Sequence, residues 1–193
     1  MFEALSRRLA GEPDPYRRFL RAAVVVPLAE RPEGPAVLLE RRADHLRQSP
    51  GEVGLPGGRL EPGEGAWPAA LRELEEELGI GAAQVRLLGE LPLFERRRGE
   101  FIHPFVAALQ APFQIECSEE VAEAFWLPLA ALSGFRYAAI QEVSRLVGGF
   151  PRRHLPGRRW VRRSSRPTPY LEHEGHLVWG VTAEILVLLA TFL

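Results

Sequence analysis

Arg72 to Leu78 reads RELEEEL, so Glu73, Glu75, Glu76 and Glu77 crowd into little more than one helical turn. Like charges three or four residues apart on a helix repel one another. On a helix advancing by about 100° per residue, Glu73, Glu76 and Glu77 converge at spacings i, i+3 and i+4. Glu75 falls outside that group, near the edge of an apolar stripe. Convergent carboxylates are hard oxygen donors, suited to Mg²⁺ or Mn²⁺, which bind carboxylate and phosphate oxygens together. A divalent cation would turn their mutual repulsion into attraction. A glutamate-rich face opposite a leucine stripe is also what a solvated surface helix presents, so this turn alone leaves both readings open.

The flanking residues separate them. Gly58 is followed after five residues by Glu64, and after seven more by Arg72-Glu73. The stretch GRLEPGEGAWPAALRELEEELGI, Gly58 to Ile80, resembles the Nudix box: Gly, five residues, Glu, seven residues, Arg-Glu, an aliphatic, any residue, Glu-Glu, any residue, Gly, an aliphatic. Gly58, Glu64, Arg72, Glu73, Leu74, Glu76, Glu77, Gly79 and Ile80 fill every fixed position. The resemblance implies an α+β fold, an α/β/α sandwich with a mixed sheet and a loop-helix-loop catalytic motif. It implies hydrolysis of a nucleoside diphosphate linked to another group. It also implies Glu73, Glu76, Glu77 and Gly58 at the metal, one glutamate serving as general base, and Arg72 paired with Glu64 to orient the ligating carboxylates. Phosphoryl transfer, which depends mostly on positioning and charge neutralisation, suits such a site. The cofactor expected is Mg²⁺ or Mn²⁺.

The segment before the box, LLERRADHLRQSPGEVGLPGG (Leu38–Gly58), resembles the second signature of the coenzyme A pyrophosphatases within that family. Leu38, Leu39, Arg42, Ala43, Arg47, Gly51, Pro56, Gly57 and Gly58 match in register. Two positions depart: Glu40 stands where threonine is usual, and Leu55 where phenylalanine is. The subfamily resemblance implies release of 3′,5′-ADP and 4′-phosphopantetheine from coenzyme A. Arg42 and Arg47 offer forked donors suited to phosphate, and are the expected substrate contacts. EEVAEAFWLPL and VWGVTAEIL resemble later segments of the same subfamily. Some Nudix enzymes use a glutamate in the loop preceding such a strand, which makes Glu120 a further catalytic candidate. Two other functions stay open: hydrolysis of another diphosphate such as ADP-ribose or NADH, and nucleotide binding without turnover.

These groups need elements to hold them. FEALSRRLAG predicts an N-terminal helix within an extension over residues 1–21. Ala22–Leu28 and Ala36–Arg41 are apolar runs bounded by Pro and Gly and predict neighbouring strands. Ala43–Pro56 predicts a long loop of functional character. Trp67, Leu71, Leu74 and Leu78 share one side of a helix over Gly65–Leu78, which Gly79 ends in the left-handed conformation. Val85–Glu95 and Phe101–Leu109 predict strands, as does Phe125–Leu129. Ala138–Val147 predicts a helix. The basic, proline-rich stretch through Pro169 predicts irregular chain, and Leu177–Leu193 the last helix. No linker divides the chain, so residues 1–193 are expected to form one domain.

Composition sets the remaining bounds. A net charge of -1 gives no hint of a nucleic-acid partner. The apolar C-terminus carries Glu184 and reads as a buried or interface helix rather than a membrane span, and points to a homodimer. Ala22–Ala29 lacks a signal-peptide layout. The single cysteine, Cys117, excludes an intrachain disulfide and is expected to be a small buried residue. A small-molecule substrate in the cytoplasm is the expected setting. Every basic residue is arginine, asparagine is absent and prolines number 17, which fits a thermophile or a GC-rich genome. His173–Glu-Gly-His176 lacks the spacing of a zinc protease.

Overall fold

The computed structural model describes residues 2–9, 20–97, 100–138 and 167–193. Of the helix expected at Ala138–Val147, Ala138 ends a strand instead; the remainder and the basic segment 152–166 lie outside the described residues.

Apolar residues on adjacent positions of one strand face opposite sides of a sheet, and here both sides are covered. Strand β1 (Leu20–Arg31) pairs antiparallel with β2 (Gly34–Arg42), Leu28 opposite Val37. Ala23, Val25 and Leu38 enter one buried cluster, and Val26, Val37 and Leu39 enter another. Strand β7 (Glu100–Leu109) runs parallel to β1 and divides likewise, Phe105 and Ala107 on one side and Val106 and Ala108 on the other. The short strands β3 (Val53–Gly54) and β4 (Gly57–Arg59), with β5 (Val85–Glu90), β6 (Phe94–Arg97) and β8 (Val121–Pro128), complete a mixed sheet whose main order is β3-β2-β1-β7-β5.

Helix α2 (Ala66–Leu78) covers the first face through Ala69, Ala70, Leu74 and Leu78. Helix α1 (Phe2–Leu9) and the C-terminal helix α3 (Gly180–Ala190) cover the second. Strands β9 (Arg136–Ala138), β10 (Thr168–His173) and β11 (His176–Trp179) form a separate small antiparallel sheet. The α/β/α arrangement is therefore the one expected.

Several boundaries are corrected. The last helix begins at Gly180, not Leu177, because His176–Trp179 pairs with Tyr170–His173 across a tight Glu174-Gly175 turn with positive φ at both residues. Thr168-Pro169 already belongs to β10 rather than to irregular chain. The expected Val85–Glu95 strand is two strands, interrupted at Leu91–Leu93. The strand expected at Phe125 starts at Val121. Helix α1 is no appendage: Phe2, Leu5 and Leu9 are core residues, and Ser6 Oγ donates to Leu88 O at 2.6 Å. The apolar face of α3 is taken up by the same core through Ala183, Ile185, Leu186 and Leu189. No helix of the described residues is long and apolar enough to cross a membrane. Cys117 is exposed rather than buried, since Phe113 and Ile115 are the residues of its loop that pack inward.

Candidate active site

Glycine brings α2 against the sheet. Gly57 has φ of 148°, and a side chain there would meet Ala23 O at 2.4 Å and Val24 Cα at 2.5 Å. Its N–H donates to Glu77 Oε2 at 2.8 Å. A Cβ on Gly58 would stand 2.2 Å from Glu73 Oε1, so this glycine makes the space that Glu73 occupies. Gly58 could offer a cation only its backbone carbonyl. At the other end of the helix Gly79 adopts φ of 70°, and its N–H caps Glu75 O.

Arg72 ties the acidic face together. Its Nε and Nη2 donate to the two oxygens of Glu64 at 3.0 and 3.2 Å. Nη1 reaches Glu73 Oε1 and Glu76 Oε2, both at 3.0 Å, and Nη2 also reaches Arg59 O at 3.1 Å. These bonds hold the Glu64 carboxyl below its ordinary range and keep the Arg72 guanidinium charged. The pairing of Arg72 with Glu64 is therefore present, and the arginine extends it to two of the three convergent glutamates.

The three glutamates are not equivalent. Glu76 is exposed, Glu73 half-buried and Glu77 buried, with 5% of its surface accessible. Glu77 thus lies at the inner edge of the helix, not on the solvated side opposite the leucines. The apolar stripe is displaced to match: Ala70 is fully buried while Trp67 and Leu71 are half-buried. Burial, and then the charge of Glu40, push the Glu77 carboxyl up to about 9, against the pull of the Gly57 N–H. Burial likewise raises Glu73, opposed by Arg72.

Strand β2 supplies the other wall. Arg42 Nη1 lies 3.8 Å from Glu77 Oε1, and Nη2 lies 3.4 Å from Glu120 Oε2. Its backbone is pinned on both sides, its N–H donating to Glu52 O at 3.0 Å and its carbonyl accepting from Gly51 N–H at 3.1 Å. Ala43 N–H donates to Glu120 O at 2.8 Å, which brings the Glu120 loop to the same place. Glu119 and Arg47 are exposed, and Arg47 is not drawn into the cluster. Of the residues expected at the site, Gly58, Glu64, Arg72, Glu73, Glu76, Glu77, Arg42 and Glu120 come together and Arg47 stays apart.

One participant was visible in the sequence only as an exception. Glu40 is 2% exposed, and its Oε2 has no hydrogen-bond partner. Burial raises its carboxyl to about 7, with Arg42 opposing and the charges of Glu120 and Glu73 reinforcing. The available signal was a charged residue following Leu38-Leu39 within a strand buried on both faces.

This donor set fits a hard divalent cation. It is all oxygen, two of its carboxyls are buried, and one buried oxygen lacks a partner. Among the described residues no three acidic, histidine or cysteine side chains already stand in ligating geometry. Arg72 holds Glu73 by Oε1 and Glu76 by Oε2, so the second oxygen of each lies outside that contact.

The model of the NUDIX domain matches residues 19–146. The chain belongs to the Nudix family. The uncharacterized Nudix hydrolase NudL of Yersinia pestis (strain Pestoides F) is 37% identical over 170 residues, covering 86% of this chain and 76% of that protein. The homologue from Yersinia pseudotuberculosis serotype O:1b (strain IP 31758) matches equally. Among solved structures, a Caenorhabditis elegans Ap4A hydrolase binary complex superposes with a TM-score of 0.51 at 22% identity, covering 67% of this chain and 100% of that one. The Nudix hydrolase RenU of M. smegmatis gives 0.52 at 23% identity, covering 69% and 88%. These two likenesses concern the fold. The chain is a Nudix hydrolase, and its box lies on the loop and helix where Gly57, Gly58 and α2 meet the sheet.

Proposed function

We propose that this Nudix hydrolase cleaves the diphosphate of coenzyme A with Mg²⁺ or Mn²⁺, releasing 3′,5′-ADP and 4′-phosphopantetheine. The observation that carries the reading is the position of Arg42. It comes from the segment that resembles the coenzyme A pyrophosphatase signature, and it lies 3.8 Å from Glu77 of the box. A substrate phosphate entering there would meet a forked donor beside the carboxylate cluster. Arg47, exposed in the same loop and engaging no described residue, is available to a second phosphate.

Glu73, Glu76 and Glu77, with the Gly58 carbonyl, would hold the ion. When bound, a divalent ion activates the attacking water and neutralises charge on the phosphoryl oxygens. Arg72 sets the directions of Glu73 and Glu76 and is itself aligned by Glu64. Such supporting contacts fix ligand geometry. Glu120, exposed and shared with Arg42, can reach into the site as a base or further ligand. The water oxygen forms a bond to phosphorus as the P–O–P bridge breaks, and the bridging oxygen leaves with the other phosphate.

The test is product analysis with coenzyme A, NADH and ADP-ribose in turn. Release of 3′,5′-ADP from coenzyme A, faster than turnover of the other two, is the expected result. Efficient hydrolysis of ADP-ribose or NADH with coenzyme A untouched would transfer the assignment to another nucleoside diphosphate derivative.

A further inference from the structure

We propose that Glu40 is an additional carboxylate donor of the cation site, acting from the sheet opposite the box helix. The inference rests on the metal-dependent reading above and deepens it.

Side-chain alternation along β2 places Glu40 on the same face as Leu38 and Arg42. Leu38 lies in the core beneath α2, and Arg42 reaches Glu77, so this face of β2 looks at the box helix. Glu40 is paired across the sheet with Gly54 on one side and Ala124 on the other. A Cβ on Gly54 would lie 4.0 Å from Glu40 Oε1. Neither cross-strand neighbour has a polar side chain to answer the carboxylate. The residue is 2% exposed and Oε2 makes no hydrogen bond.

Charge is out of balance in the same crevice. Among the described residues, Glu40, Glu64, Glu73, Glu76, Glu77 and Glu120 share two arginines, Arg42 and Arg72. Arg72 is already divided among Glu64, Glu73, Glu76 and a backbone carbonyl. Arg42 is divided between Glu77 and Glu120. A buried carboxylate without a partner is costly unless it is paired or binds a metal. Glu73 and Glu76 each share one oxygen with Arg72, whereas Glu40 Oε2 makes no hydrogen bond. The side chain is also one that a hydroxyl-bearing residue could not replace in charge. A sheet-borne donor would hold the ion from the side opposite α2 and add one negative charge to its surroundings.

Mn²⁺ alone is the probe, titrated into the metal-free full chain by calorimetry and followed by electron paramagnetic resonance. Glu40→Gln removes the charge while keeping the shape. Glu40→Asp keeps the charge but withdraws it by one methylene. Glu76→Gln is the control for the box. Loss of about 10-fold or more in Mn²⁺ affinity, or of one bound ion, in both Glu40 variants is expected. Wild-type binding in both, with Glu76→Gln weakened, would overturn the role of Glu40 alone. Weak binding in Glu40→Gln with normal binding in Glu40→Asp would also overturn it, since only the field would then matter. Undiminished binding in Glu76→Gln as well would defeat the metal reading of the box itself. Circular dichroism of each metal-free variant establishes folding, and Glu40→Thr replaces any variant that does not fold.

Discussion

A carboxylate's meaning here depends on which side of a helix it occupies. Glu75 and Glu76 are neighbours in sequence, yet Arg72 holds Glu76 and leaves Glu75 to solvent. Glu77 is buried and receives a backbone N–H from Gly57. Replacing Glu76 or Glu77 by glutamine leaves the shape intact and removes a charge from the cluster. We expect each variant to keep a wild-type circular dichroism spectrum while kcat falls by about 10²–10³. Wild-type turnover in either would refute its place at the reacting phosphate. Glu75→Gln should be close to neutral in the same assay.

At the scale of elements, the site exists because β4 has no side chains where α2 arrives. The loop-to-helix turn could be drawn from the glycine spacing, but the cause is steric: Gly57 is pressed on β1, and Gly58 on the Glu73 carboxylate. Gly58→Ala forces Glu73 to move, because a Cβ at 2.2 Å cannot be accommodated. The variant should fold, since a carboxylate is the far end of a flexible side chain, and should lose activity by about 10-fold or more through misplaced donors. Steady-state kinetics alongside a thermal melt would check both parts. An unchanged kcat would show that the position of Glu73 against β4 is dispensable.

For the molecule as a whole, the site trades stability for charge. Glu40 and Glu77 have folded-state values raised from 4.5 to about 7 and about 9. At these two groups the folded chain therefore holds protons that the unfolded chain releases, so their contribution to the stability of the metal-free protein is full below the ordinary carboxylate range and is lost as pH rises through those values. In a chelator, the melting temperature should drop between about pH 5 and about pH 9. Adding Mg²⁺ should raise it more at the alkaline end, where the carboxylates are charged and ready to bind. A chelated protein that grows more stable across that interval would contradict the burial of these groups.

The box and its upstream signature were legible because chemistry confined them to short stretches with fixed spacing. Glycine at 58 and 79, Arg72 beside its glutamates, and the two leucine-rich strands follow from local rules of helix, turn and alternation. The pairing of Glu64 with Arg72 was implied by the resemblance to the Nudix box, not by spacing alone. The depth of Glu77 and the orphaned oxygen of Glu40 were not legible, because burial is set by β2, β4 and α2 meeting across long separations. The same is true of β11, where Leu177–Trp179 reads as the start of an apolar helix but pairs with β10 instead. Residue type and spacing determined which chemistry the chain can perform. Tertiary packing decided which carboxylates are buried, because burial depends on strands and a helix that meet across long separations in the chain.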